Sequence, residues 1–215
     1  MVKIANASID ENGKIYGGVA GDQTGREVVV RDWYNRPWDC VIRFRNADTA
    51  NKIASFMEKA CANNNIGYDQ WQRNSLHTEL KKVNFAVEKI TTPCETDCSA
   101  LVSDACIAAG VPESFLYIGG NLSVTSNLRQ RLDSTGLVTV FRTTAYTKST
   151  DKLQRGDILL NEGSHVAVVV SGATTPTPVV TEKFVDLKIR MLKKGMKGAD
   201  VKALQLLLNG KNNAR

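Results

Sequence analysis

Apolar residues recur at helical spacing in two segments of the chain. Between Ala47 and Asn64 they fall on one face of a predicted helix, and between Cys98 and Gly110 they mark a second, shorter one. The apolar positions are Ala50, Ile53, Ala54, Met57 and Cys61 in the first segment, and Leu101, Val102, Ala105, Cys106 and Ala109 in the second. Gly110, followed by Val111 and Pro112, ends the second helix. We also expect helices over Asn74–Lys82 and Leu122–Leu132.

Other apolar runs have the length and composition of buried strands. Val166–Val170 follows His165, and Ile158–Leu160 follows a Gly156-Asp157 turn. A further strand is expected over Leu137–Arg142.

The second predicted helix begins at a cysteine. Thr96 or Asp97 can cap it, so the Cys98 thiol lies at a helix N-terminus, where the dipole favours a thiolate. One of only two histidines, His165, begins an apolar strand. A cysteine at a helix start and a histidine at a strand start are typical of papain-like cysteine hydrolases. The alternative is a small buried Cys98 without chemistry. A zinc site with Cys94 and Cys106 is disfavoured, because Cys98 and Cys106 lie about 12 Å apart along one helix.

Three motifs occur in the order found in a known family. They are Asp97–Val102, Arg155–Leu160 and Ser164–Val169, and together they resemble the NlpC-type cell-wall cysteine peptidases of phage endolysins. The resemblance implies an α+β fold of the papain-like NlpC type, with a central antiparallel sheet packed on helices and a short C-terminal helical segment. It implies a Cys98 nucleophile and a His165 base. It also implies a cleft-lining tyrosine at Tyr68, and a third polar residue on the strand after the histidine.

That following strand is missing from its usual place. After Val170 comes a Thr/Pro-rich stretch that reads as a linker. The N-terminal segments resemble what usually follows the histidine, and Asn65–Gln70 resembles a usual domain start. We therefore expect a circular permutation in which Asn6 is the third catalytic residue and fixes the tautomer of His165. Asp22 and Gln23 are the alternatives for that position and candidate substrate contacts. In the other interpretation, residues 1–46 form an unrelated β-element.

The excess positive charge lies entirely at the C-terminus. Residues 182–215 carry nine basic and three acidic residues, which accounts for the whole net charge of +6. Within them Gly195, Gly198, Asp200, Val201 and Leu204-Gln205 resemble the first half of a small peptidoglycan-binding module. The expected domains are a hydrolase domain at 1–172, a Thr/Pro linker at 173–185 and a truncated binding module at 186–215.

The composition limits where the protein is made and where it acts. No stretch approaches the roughly 18 apolar residues of a membrane helix, and the N-terminus lacks a signal-peptide core. Five cysteines without framework spacing indicate a reduced compartment. We expect synthesis in the cytoplasm, action at the bacterial cell wall, no cofactor or metal, and no nucleic-acid partner. The oligomeric state stays open.

These observations predict a peptidoglycan hydrolase that cuts an amide bond of the wall peptide. By the resemblance, the γ-D-glutamyl–diamino acid bond is favoured and the bond between muramic acid and L-alanine is second. A non-catalytic wall-binding protein and an acyl transferase or thioesterase are the other classes. The second histidine, His77, has no cysteine motif near it and is expected to be solvated or to cap a helix.

Overall fold

The computed structural model describes residues 1–172. The predicted linker at 173–185 and the C-terminal module at 186–215 lie outside the described residues. Ten strands and six α-helices occur within residues 1–172, together with a 3₁₀ turn at Val87–Lys89. In chain order they are β1 (Lys3–Ala7), β2 (Val28–Asp32), β3 (Cys40–Phe44), α1 (Ala47–Cys61), β4 (Ile66–Tyr68), α2 (Ser75–Lys82), β5 (Cys94–Thr96), α3 (Cys98–Ala108), α4 (Glu113–Leu116), β6 (Tyr117–Ile118), β7 (Asn121–Leu122), α5 (Thr125–Ser134), β8 (Val138–Phe141), α6 (Thr144–Thr147), β9 (Ile158–Asn161) and β10 (His165–Ser171).

A six-stranded antiparallel sheet forms the centre of the fold. Its strand order is β2-β1-β10-β9-β3-β8. The predicted α+β class with a central antiparallel sheet is therefore confirmed. Strands β1 and β2 belong to this sheet and β1 pairs directly with β10, so the interpretation of residues 1–46 as an unrelated element is wrong.

The two faces of the sheet carry different cores. Val166, Val168 and Val170 face the larger core, to which α1 and α3 contribute their apolar faces. Ala167 and Val169 point to the opposite face and a smaller cluster. The remaining buried members of that cluster are Val2, Ile4, Trp38, Val41, Leu153 and Leu159. Strand β10 is buried on both sides, which explains the uninterrupted apolar run after His165.

The Gly-Asp turn before β9 has a structural explanation. Gly156 has a φ of +86°, and a Cβ there would lie 2.3 Å from the carbonyl oxygen of Ala50 in α1. The Asp157 carboxylate is fully buried and receives two hydrogen bonds of 2.7 Å from the Arg43 guanidinium. This motif therefore packs α1 onto the sheet and contributes no group to a reaction site.

A separate pair of short parallel strands positions two sequence-predicted residues. Strand β4 pairs with β5, with Tyr68 opposite Thr96. The carboxyl ends of parallel strands meet at one edge. Tyr68 therefore ends β4 at the edge where Cys98 begins α3.

Several element boundaries differ from the predictions. The helix expected over Leu122–Leu132 begins at Thr125, because Asn121–Leu122 pairs with Tyr117–Ile118 as a two-stranded ribbon. The strand expected over Leu137–Arg142 spans Val138–Phe141. Within residues 1–172, none of the helices has the length and hydropathy needed to span a membrane.

Candidate active site

The N-terminus of α3 is held by a buried ion pair. Asp97 caps the helix, and its Oδ1 accepts hydrogen bonds from the backbone N–H groups of Ser99 at 2.9 Å and Ala100 at 2.7 Å. The Arg73 guanidinium donates to the same carboxylate, with Nη2 3.2 Å from Oδ1. It also donates to the carbonyl oxygens of Leu122 at 2.9 Å and Ser123 at 2.6 Å.

Arg73 was not among the residues selected from the sequence. It stands in no motif, and only its tertiary contacts show that its donors converge on the cap of α3. A planar guanidinium suits such a site, because its fixed fork binds a carboxylate and backbone carbonyls together. The pair of Arg73 and Asp97 therefore fixes where the first residue of α3 lies.

Cys98 is that first residue, and its thiol is buried with 6% of the residue exposed. Burial, followed by the negative charge of Asp97, raises the pKa of the Cys98 thiol to about 12. The backbone N–H groups of Val166 and Ser99, and the charge of Arg73, act in the opposite direction. The backbone donors at the helix N-terminus favour the thiolate as predicted from the sequence, but burial outweighs them in the resting site.

His165 lies at the start of β10, 7% exposed. Its ring stacks on Trp38, with the ring centroids 6.3 Å apart. Burial, followed by the positive charges of Arg36 and Arg31, lowers the pKa of His165 to about 4. The imidazole is therefore neutral at neutral pH, as a general base must be before it takes a proton.

Asn6 lies beside this ring, as the permutation hypothesis requires. Strand β1 runs antiparallel to β10, and Asn6 Nδ2 is 2.8 Å from His165 Nε2. Asn6 is 1% exposed, and among the described residues its Oδ1 has no hydrogen-bond partner. The two residues are 159 positions apart in the chain, so only the sheet brings them together.

The orientation of the Asn6 amide decides what the imidazole can do. With Nδ2 donating to Nε2, the ring proton lies on Nδ1, and Nδ1 cannot accept another. A half-turn of the amide instead places Oδ1 against an Nε2–H group. That orientation gives Oδ1 the partner that it lacks and leaves a lone pair on Nδ1.

The Cys98 sulfur contacts the backbone of the strand that carries the histidine. The N–H of Val166, the residue after His165, acts on the Cys98 sulfur and stabilises its thiolate form. Within residues 1–172, no hydrogen bond joins the sulfur to either imidazole nitrogen. Contacts between a nucleophile and its base are often long without substrate and shorten when it binds.

Tyr68 also belongs to this neighbourhood. Its hydroxyl accepts a hydrogen bond of 3.0 Å from the side chain of Gln70. Burial, followed by the negative charges of a Cys98 thiolate and of Asp97, raises the pKa of Tyr68. The phenol is therefore a neutral hydroxyl close to the sulfur, in the region that the sequence assigns to the substrate cleft.

Asp22 and Gln23 have structural contacts instead. The Asp22 carboxylate accepts hydrogen bonds from the backbone N–H groups of Thr24, Arg26, Glu27 and Val28. Gln23 Nε2 donates to the carbonyl oxygens of Ala20 and Gly21, each at 3.0 Å. Both residues shape the loop before β2, and neither is hydrogen-bonded to His165 within the described part of the chain.

His77 is neither solvated nor a helix cap, so that prediction is wrong. It is 2% exposed, with Nδ1 2.6 Å from Asp104 Oδ1 and Nε2 3.2 Å from Glu113 Oε1. Burial alone would lower the pKa of His77, but the hydrogen bond and negative charge of Asp104, with help from Glu113, raise it. These contacts join α2, α3 and α4, and sequence spacing gave no signal for them.

Comparison with known proteins gives one family. A family model described as an endolysin-like domain matches residues 4–176. Neither the curated proteins nor the solved structures gave a significant match.

Proposed function

The chain belongs to the endolysin-like domain family, and on this premise we propose that it is a peptidoglycan hydrolase with a Cys98–His165–Asn6 site. The observation that carries the proposal is the 2.8 Å contact between Asn6 and His165, next to a capped helix that begins with Cys98. A buried amide that fixes an imidazole tautomer beside a thiol is the arrangement that acyl transfer through cysteine needs.

In the proposed mechanism the thiol starts neutral. His165 Nδ1 takes the proton of Cys98 as the sulfur attacks the carbonyl carbon of a wall-peptide amide. The proton moves to His165 while the sulfur attacks the carbonyl carbon. A thiolate–imidazolium pair is disfavoured at rest, because the pKa of the thiol is raised and the pKa of the imidazole is lowered. Asn6 Oδ1 accepts from Nε2–H and stabilises the imidazolium that forms.

Backbone donors at the start of α3 and in β10 stabilise the charge that develops. The N–H groups of Val166 and Ser99 favour the thiolate. The backbone N–H of Cys98 is the donor that we assign to the tetrahedral oxyanion. The imidazolium then protonates the leaving amine, which breaks the C–N bond and leaves an S-acyl enzyme. Water, deprotonated by His165, attacks the thioester and releases the carboxylate and the free thiol.

We propose that the bond cut is the γ-D-glutamyl–diamino acid amide, as in the NlpC-type peptidases that the motifs resemble. The position of β1 directly beside β10 supports a circularly permuted NlpC-type order, because β1 lies where the strand after the histidine is expected. Tyr68, next to the sulfur, is the residue that we assign to substrate contact. We assign Asp22 and Gln23 to holding their loop.

The test is product analysis on purified peptidoglycan, comparing the parent chain with Cys98→Ala. We expect turbidity loss and new amino termini on diamino-acid residues with the parent chain, and neither with Cys98→Ala. Free L-alanine amino termini would instead establish an amidase. Lysis that survives Cys98→Ala would exclude the thiolate mechanism, and wall binding without lysis by either chain would favour a non-catalytic protein.

Cys106→Ala is the matched control for this experiment. Cys106 lies on the same helix, is fully buried and faces the core. Its replacement by alanine removes a sulfur of the same type without touching the proposed site, so hydrolysis per folded molecule is expected to persist.

A further inference from the structure

An exposed aromatic pair stands out on the surface of the described chain. Trp71 is 75% exposed and Tyr16 is 44% exposed. Their rings stack with centroids 4.4 Å apart and an interplanar angle of 13°. Ile15 and Val19, in the same loop as Tyr16, are also exposed. Since Tyr16 covers one face of the indole, the opposite face of Trp71 is left to solvent.

The Asp69 carboxylate holds the two backbone segments that carry the pair. This carboxylate is 1% exposed and accepts hydrogen bonds from the backbone N–H groups of Gly17 at 2.6 Å, Trp71 at 2.6 Å and Gln72 at 3.0 Å. The Gln70 N–H donates to the carbonyl oxygen of Ile15 at 3.0 Å. The backbone on both sides of the pair is therefore tied together, and the two rings stack on each other, which lowers the entropic cost of binding.

The pair also lies close to the proposed catalytic cysteine. Tyr68 pairs with Thr96, and Trp71 is three residues beyond Tyr68 while Cys98 is two residues beyond Thr96. Three residues of chain span at most about 10 Å, and paired strands lie about 5 Å apart. Gln70, next to Trp71, donates to the Tyr68 hydroxyl. The aromatic surface therefore continues from the edge at which α3 begins.

We propose that Trp71 and Tyr16 form a subsite for the glycan strand of peptidoglycan. The apolar C–H face of an amino sugar stacks on the open face of Trp71, and the exposed amides of Gln70 and Gln72 hydrogen-bond its hydroxyl and N-acetyl groups. Residues 70–72 are uncharged, which suits a neutral sugar better than an anionic polymer. This inference rests on the proposed function, since a wall substrate carries its glycan next to the peptide that is cut.

The test measures binding in the Cys98→Ala background, so that it does not depend on hydrolysis. The probes are peptide-free glycan strands and, separately, soluble stem peptide. We expect Trp71→Ala to weaken binding to glycan strands about tenfold, the value of one lost stacking contact, and Tyr16→Ala to weaken it less. With active chains, Trp71→Ala should lower the ratio of activity on intact sacculi to activity on stem peptide.

Ile118→Ala is the control, because Ile118 is 51% exposed and lies outside the aromatic pair. It should leave glycan binding unchanged. Equal glycan binding by Trp71→Ala and its Cys98→Ala parent would overturn the proposal, as would a parent that binds no glycan strands. A dimer that Trp71→Ala dissociates would also overturn it, by assigning the surface to a second copy. A Cys98→Ala parent that binds no glycan strands, together with intact Cys98-dependent hydrolysis of stem peptide by the active chain, would reject this subsite and leave the proposed function standing.

Discussion

The two histidines of this chain are both buried, yet their surroundings give them opposite properties. Burial, followed by the positive charges of Arg36 and Arg31, lowers the pKa of His165 to about 4, and its hydrogen-bond partner is the neutral Asn6 amide. His77 lies between the carboxylates of Asp104 and Glu113, and its pKa rises. The first is therefore a neutral base, and the second is a histidine whose protonated form is favoured by two carboxylate partners.

The difference shows that burial alone does not assign a role to a histidine. A carboxylate partner favours the charged imidazole, which then links helices and has no free lone pair. An amide partner brings no negative charge, so burial keeps the ring neutral, and one nitrogen stays available for proton transfer. Removing each histidine should therefore affect different properties of the protein.

The largest effect is expected for His165→Ala on catalysis. Loss of the general base should lower kcat/KM on peptidoglycan by about 10²- to 10⁴-fold. The thermal unfolding midpoint should change little, because the lost contacts are one amide hydrogen bond and one ring stack. Steady-state hydrolysis and calorimetry on the same preparation check both parts. Full activity in a folded His165→Ala chain would remove the histidine from the mechanism.

For His77→Gln the main loss should be in stability. Removing one partner of a buried pair leaves the Asp104 carboxylate unpaired at the centre of the network, which costs about 3–5 kcal/mol of unfolding free energy. Denaturant unfolding measures this loss. The double variant with Asp104→Asn should recover much of it, because no charge is then buried. Activity per folded molecule should stay near the parent value, and a selective loss of kcat would contradict this assignment.

Asn6→Ala should have an intermediate effect on activity. Without the amide the imidazole loses its fixed tautomer and orientation, and we expect kcat to fall about 10- to 100-fold. Asn6→Gln keeps an amide on a longer side chain. It should be more active than Asn6→Ala but less active than the parent, because its amide can bond to the imidazole but holds the ring in a different orientation. A kcat unchanged in Asn6→Ala would reduce the site to Cys98 and His165.

The smallest effects concern how stability depends on pH. The lowered pKa of His165 means that the unfolded chain binds more protons between about pH 4 and 6.5, so stability from this group is lost as pH falls through that range. The raised pKa of His77 acts oppositely, and its contribution is lost as pH rises above 6.5 through the folded value. Unfolding midpoints across pH should show a flatter acid limb for His165→Ala and a flatter alkaline limb for His77→Gln. Parallel curves for the two variants would contradict the contrast between the histidines.

Much of the proposed site could be predicted from sequence because its signals are local. An acidic cap, a cysteine at a helix start and a histidine before an apolar run are each read within a few residues of chain. The helices at Ala47–Cys61 and Cys98–Ala108 lie where apolar periodicity predicts them. Asn6 was predicted through a family resemblance, since nothing in residues 1–10 alone points to a distant histidine.

The remaining features depend on groups that meet only after folding. Arg73 reaches Asp97 across 24 positions and Leu122 across 49, and His77 reaches Asp104 across 27. The raised pKa of the Cys98 thiol could not be predicted, because a helix N-terminus is visible in sequence while the depth of burial is not.

By itself the sequence determined the fold class, the main helices, the central strands and the pair of Cys98 and His165 as candidates. Apolar periodicity and helix capping involve residues close together in the chain, so they can be recognised without knowing the tertiary structure. Only the tertiary structure decided that β1 carries Asn6 to His165, that Arg73 holds the cap of α3, and that the two histidines differ. Hydrogen bonding and desolvation depend on which groups are close in space, and for these residues the central sheet and the packing of the helices set that proximity.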